Sequence, residues 1–164
     1  VGFDAEADAA RGLDHGAWTP LMLARPRADI PVLQVSVQPA DGVEGALRLG
    51  RALSSLRDEG VLIVGSGALT HNLREVDWRA PAGAAPFAAA FADWIAGRVE
   101  AGDLDALRDY RALAPHAVRN HPEEEHLLPL HVAIGAGGLG GAERLHASFT
   151  YGALAMDVYR FGAA

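Results

Sequence analysis

Apolar positions recur along this chain in two periods, one helical and one strand-like. Gly42 to Leu56 carries Val43, Ala46, Leu47, Leu49, Leu53 and Leu56 at helical spacing, with charged residues between them, and predicts an amphipathic helix. Apolar runs of strand length flank it. Ile30-Pro31-Val32-Leu33-Gln34-Val35-Ser36-Val37 reads as a first strand, its Pro31 tolerable at the beginning. Val61-Leu62-Ile63-Val64 reads as a short strand buried on both faces, as in a parallel sheet. Strand, helix and strand with this connection fit a right-handed parallel crossover.

The remaining elements follow the same logic. Thr19 and Pro20 read as N-cap and first position of a short apolar helix through Leu21, Met22 and Leu23. Val76 to Pro86 reads as a surface loop anchored by Trp78. Phe87, Phe91, Trp94, Ile95 and Val99 form one stripe of a helix, and Leu104 to Leu113 forms another behind an Asp103 N-cap. Gly135 to Gly141 is a turn region, and Ala147 to Phe161 alternates enough for one or two closing strands. No repeat or linker divides the chain. The expected fold class is α/β, in a single domain covering 1–164.

Composition narrows the function classes. The 164 residues suffice to bury a core, and no apolar run approaches the length of a membrane span. A net charge of −7 with no basic cluster argues against a nucleic-acid surface. The absence of cysteine removes thiolate nucleophiles, cysteine-ligated metals and disulfides, and fits a cytoplasmic protein. The first residue is Val1 rather than Met, which suggests a processed or truncated start.

Chemistry-bearing residues concentrate in three stretches. Gly65-Ser66-Gly67 ends the second strand at its C-terminal edge, where open α/β sheets place ligands, and Thr70-His71-Asn72 delivers an imidazole to that rim. The glycines permit positive φ or a close backbone approach. A nucleotide site is disfavoured, because neither a dinucleotide fingerprint nor a P-loop lysine is present. Gly12-Leu13-Asp14-His15-Gly16 is a turn that presents a second histidine. The third stretch runs from Asn120 to His131. In it Pro122 and three glutamates suit the first turn of a helix that Pro129 would kink or stop. His121, His126 and His131 are five apart, about 140° successively on a regular helix, so they would not share one metal there. His126, between the acids and an apolar Leu-Leu-Pro-Leu run, stands out. His131 reads as packed or surface, and His116 and His146 as solvent residues.

Taken together, Gly12-Leu13-Asp14-His15-Gly16-Ala17-Trp18, Gly65 to Leu73, His121 to Leu130 and the tail Tyr151 to Gly162 resemble one family in order and spacing. It is the class III extradiol ring-cleaving dioxygenases, in the branch similar to 4,5-DOPA dioxygenase. The resemblance implies an α/β sandwich around a central mixed β-sheet flanked by helices. The activity it implies is the opening of a catechol-type aromatic ring with O2. It also implies Fe(II) as the working metal, with Zn(II) an alternative that accepts the same ligands without the redox step. By resemblance His126 is a metal ligand. His71 is the acid–base residue near substrate and a second candidate ligand. His15 approaches the substrate pocket, beside Ser66 and Thr70 as substrate-binding candidates. The family places two further metal-binding histidines in an N-terminal portion that Val1 to Arg11 does not supply. The resemblance therefore covers the C-terminal part of the domain, and a missing N-terminal portion or a partner chain is expected to complete it. His121 and Glu125 are possible substitute ligands that the motif does not imply. The alternative function is a truncated or split α/β domain that binds a partner or zinc without turnover. Neither nucleic acid nor membrane is an expected partner.

Overall fold

The computed structural model describes residues 3–79 and 82–162. Part of the expected 76–86 loop, Ala80 and Pro81, and the first two residues of the N-terminal segment lie outside the described residues.

Seven α-helices precede four short strands among the described residues. The helices are α1 (His15–Ala24), α2 (Gly42–Leu53), α3 (Pro86–Glu100), α4 (Leu104–Arg108), α5 (Tyr110–Leu113), α6 (Ala117–Asn120) and α7 (Leu128–Gly137). The strands are β1 (Glu143–His146), β2 (Phe149–Thr150), β3 (Leu154–Ala155) and β4 (Val158–Arg160). β1 pairs antiparallel with β4, and β2 antiparallel with β3, as two separate two-stranded sheets. The closing strands expected in the tail are thus present. A central mixed sheet is not formed among the described residues. Residues 30–37 and 61–64 join no ladder, and Leu33 and Leu62 are largely exposed. Both runs have strand-like sequences, but a strand is completed by a neighbour, and no described segment forms a ladder with either.

The core forms where α3 meets the short helices and α7. Phe91, Ile95, Leu107, Tyr110 and Leu127 are fully buried in one cluster that also takes in Leu47 and Ile134. Each such apolar side chain contributes about 1.5–3 kcal/mol relative to exposure. Asp103 caps α4 by accepting the Ala106 N–H at 3.1 Å, as its sequence position suggests. α2 and α7 cross at closest range through glycines. A Cβ at Gly50 would stand 2.1 Å from the Val132 carbonyl oxygen, and one at Gly135 2.4 Å from that of Leu47. No larger residue fits either position without parting the helices.

Several helix boundaries differ from expectation: α2 ends at Leu53 rather than Leu56, the helix expected over 104–113 is divided into α4 and α5, and α7 runs into the expected turn region as far as Gly137. α1 starts five residues before Pro20, capped by Asp14, whose carboxylate accepts the Ala17 N–H. Asp14 is itself clamped from the 30–37 run, accepting from Gln34 Nε2 at 2.8 Å while its N–H donates to Gln34 Oε1 at 2.9 Å. Pro122 to Leu127 is turn and bend rather than helix, and Pro129 stands in the first turn of α7. Proline's missing N–H costs nothing there, which explains why this proline opens a helix instead of ending one.

Candidate functional site

Because residues 121–127 are irregular, the helical separation of their histidines does not apply. The turn brings His126 against His71. Their rings stack with centroids 3.5 Å apart and planes inclined by 11°. The pair stands half-buried at the surface. His71's affinity for a proton is lowered, first by partial burial and then by the His126 imidazole against it. Glu125 Oε1 stands 3.4 Å from His126 Nδ1, leaving Nε2 as the nitrogen that faces away from the acid.

The stacking rests on a zipper between two chain segments. The Ala68 N–H donates to the His126 carbonyl at 2.8 Å, and the His71 N–H to that of Asn120 at 3.0 Å. Asn72 Nδ2 donates to the Arg119 carbonyl at 2.6 Å, and His121 Nε2 meets the Leu69 carbonyl at 2.8 Å. The pairing runs antiparallel, 68 with 126 through to 72 with 119. Thr70 is buried within it. Its hydroxyl donates to the Ala153 carbonyl and accepts the Ala155 N–H, both at 2.7 Å, so it braces the segment on β3.

Gly65 and Gly67 press against the opposite side of the same turn. A Cβ at Gly65 would lie 2.2 Å from the Pro129 oxygen, and one at Gly67 2.3 Å from the His126 oxygen. Neither glycine has positive φ. Of the two uses for glycine that the sequence allows, close approach is the one realised. Between them Ser66 donates its hydroxyl to the Gly16 carbonyl at 2.5 Å. That carbonyl is free because Pro20, four residues on, has no N–H to offer it. His15 is thereby moored next to the Gly65–Gly67 turn. Its ring is exposed and makes no hydrogen bond, ion pair or ring contact with a described residue.

His131 is buried, with Nδ1 and Nε2 facing the Leu127 and Leu107 carbonyls, and belongs to the core. His116 and His146 are exposed, as expected. His121 is fully buried and lies in the zipper, a role its sequence position did not disclose. Trp18 and Trp78 are both substantially exposed, and Trp78 leans on Tyr151 with centroids 4.9 Å apart.

The donor set bears on metal binding. Among the described residues no group of three or more His, Asp or Glu side chains is placed to hold an ion. In-plane lone pairs of two stacked rings do not converge, so an ion in the plane of one ring lies outside the plane of the other. A nitrogen-bound ion needs approach to about 2.0–2.1 Å along such a lone pair. The described residues therefore fit one corner of a metal site and not a whole one. No helix among them is long and apolar enough to cross a membrane.

Residues 1–162 match the family described as the catalytic LigB subunit of aromatic ring-opening dioxygenase. The 4,5-DOPA dioxygenase extradiol of Beta vulgaris is 46% identical over 156 residues, which cover 94% of this chain and 58% of that protein. The 4,5-DOPA dioxygenase extradiol of Escherichia coli (strain K12) is 35% identical over 133 residues, 77% of this chain and 48% of that protein. The chain thus spans about half the length of these relatives. The crystal structure of uncharacterized protein JW3007 from Escherichia coli K12 superposes with a TM-score of 0.81 at 31% identity, over 92% of this chain and 64% of that one. A match over nearly all of the chain, in sequence and in fold, makes it a member of the LigB family of aromatic ring-opening dioxygenases.

Proposed function

We propose that these residues form the His71–His126 wall of an extradiol dioxygenase that opens a catechol-type ring with O2. The observation that carries the reading is the stacked imidazole pair at the surface, with an acid behind one ring. His126 is the metal donor, its Nδ1 turned toward Glu125 and its Nε2 free. Carboxylates behind metal-bound histidines orient them in this way. Fe(II) would supply the redox chemistry of oxygen activation, whereas Zn(II) would occupy the same donor without it. The remaining donors are assigned to polypeptide outside these 164 residues, whether the same chain or a partner.

His71 takes the acid–base role. It is half-buried and its proton affinity is lowered, so near neutral pH it is neutral and ready to accept a catechol proton. His15, exposed at the start of α1, reaches toward substrate from the Ser66 side. Ser66 and Thr70 serve by holding the walls of the site. The test is oxygen uptake and formation of a yellow ring-opened product from a 3,4-dihydroxyphenyl substrate, using the full reading frame to which these residues belong. His126→Ala should remove bound metal. His71→Ala should keep metal and lower turnover by about 10²–10⁴-fold. Metal binding without oxygen uptake would instead favour the non-catalytic zinc-binding alternative.

A further inference from the structure

We propose that His121 is a positioning residue for His71, acting as a buried donor that fixes the backbone carrying the acid–base ring. The Leu69 carbonyl can only accept, so the 2.8 Å contact requires the proton on His121 Nε2. Nδ1 is then a lone pair, and it is buried with no partner. Burial keeps the ring neutral and so preserves this single tautomer.

The clamp works through the chain. The Leu69 carbonyl belongs to the peptide before Thr70, and the His71 N–H to the peptide after it. His121 holds the first by its side chain, and Asn120 holds the second by its carbonyl. Consecutive residues thus grip both peptides around Thr70 and fix the backbone from which the His71 ring is presented to His126. The grip is anchored in turn. Asn120 Nδ2 donates to the Phe87 and His116 carbonyls, and Arg111 Nη1 donates to the His121 carbonyl at 3.0 Å. Losing the imidazole would leave the Leu69 carbonyl without its donor in a buried place, and the cost would fall on the segment that presents His71.

Hydrogen exchange of the His71 amide, followed by NMR in the full reading frame to which these residues belong, tests the clamp. His121→Leu keeps bulk and removes the donor. His121→Gln places an amide N–H near the position of Nε2. We expect about tenfold faster His71 exchange in the Leu variant, from loss of one hydrogen bond, with near-normal exchange in the Gln variant. Amides of α3 should be unchanged in both. Should the Leu variant fail to fold, His121→Asn, too short to reach Leu69, carries the same expectation. Unchanged His71 exchange in the Leu or Asn variant overturns the proposal, as does a Gln variant no better than they are.

The kinetic consequence rests on the acid–base reading of His71. In the complete enzyme His121→Leu should lower kcat about tenfold with KM and bound metal unchanged, and Gln should restore it. Loss of metal in the Leu variant with normal kcat per bound ion would make His121 a support for the metal instead, and would sink this part. The exchange experiment needs no turnover. A chain that opens no catechol yet shows the exchange pattern keeps the clamp and loses the dioxygenase reading.

Discussion

Gly67 offers a sharp test of how this site is packed. In Gly67→Ala the new Cβ stands 2.3 Å from the His126 oxygen, 3.0 Å from Pro129 Cγ and 3.3 Å from Pro129 Cβ. The first contact is about 1.1 Å short of ordinary van der Waals separation. The His126 oxygen is backbone, and it already accepts the Ala68 N–H at 2.8 Å, so it cannot retreat without losing that bond. Overpacking of this kind costs about 1–3 kcal/mol, and the lost hydrogen bond about 0.5–1.5 more. The expected destabilisation is therefore roughly 2–4 kcal/mol, larger for Gly67→Val, with its extra bulk. Gly97 in α3 is the control. A Cβ there meets nothing within 4 Å, and its φ is not positive. Gly97→Ala should stabilise by about 0.5–1 kcal/mol through helix propensity. Urea denaturation of the three proteins measures both effects through the midpoint at constant slope. Equal stability of Gly67→Ala and wild type would mean that the turn does not lie against His126 as described, and the stacked pair would lose its support.

Two further outcomes follow from the buried polar groups. Thr70→Val keeps shape but strips a donor and an acceptor from β3, and should cost about 2–4 kcal/mol in the same denaturation assay. The pH dependence has a definite sign. Burial pushes the His121 imidazole down to about 4, from an ordinary 6.5. Between those values the unfolded chain takes up a proton that the folded chain refuses. Stability should therefore be full above about pH 6.5 and fall as pH drops toward 4, by on the order of 3 kcal/mol from this residue. His131, lowered chiefly by its burial, adds to the same slope. Denaturation midpoints at neutral and mildly acid pH check it, and His121→Gln should flatten the profile. Stability that rises on acidification would refute the neutral, buried assignment.

What was legible in the sequence depended on whether the deciding interaction was local. α2, α3 and the Asp103 cap were readable because helical periodicity and capping involve neighbours a few residues apart. The motifs around His15, His71 and His126 announced the family for the same reason. The strands at 30–37 and 61–64 were not settled, since β-pairing belongs to two segments and the apolar pattern of one says nothing of the other's presence. The helix expected from Pro122 failed on a distant contact. Tyr110 Oη donates to Glu124 at 2.8 Å, and that glutamate was read as a first-turn acid. The carbonyl of Glu124 accepts from both Leu127 and Leu128, which turns the chain toward α7. His121 was passed over as a mere alternative ligand, because no spacing rule connects it to the Leu69 carbonyl fifty-two residues earlier.

Pro20 shows what an apparent defect in a helix can accomplish. α1 buries none of its residues, so hydrophobic packing does little to hold it to the body. Its attachments are polar: the Asp14–Gln34 clamp and the Ser66 hydroxyl on the Gly16 carbonyl. The second lands on the carbonyl that Pro20 leaves without its helical donor. The helix thus trades an internal rung for an anchor cable, and His15 hangs at the anchored end. Local strength and correct placement are then in opposition. An alanine at position 20 would add a rung to the helix's own ladder and make Ser66 share the oxygen by which it ties the helix.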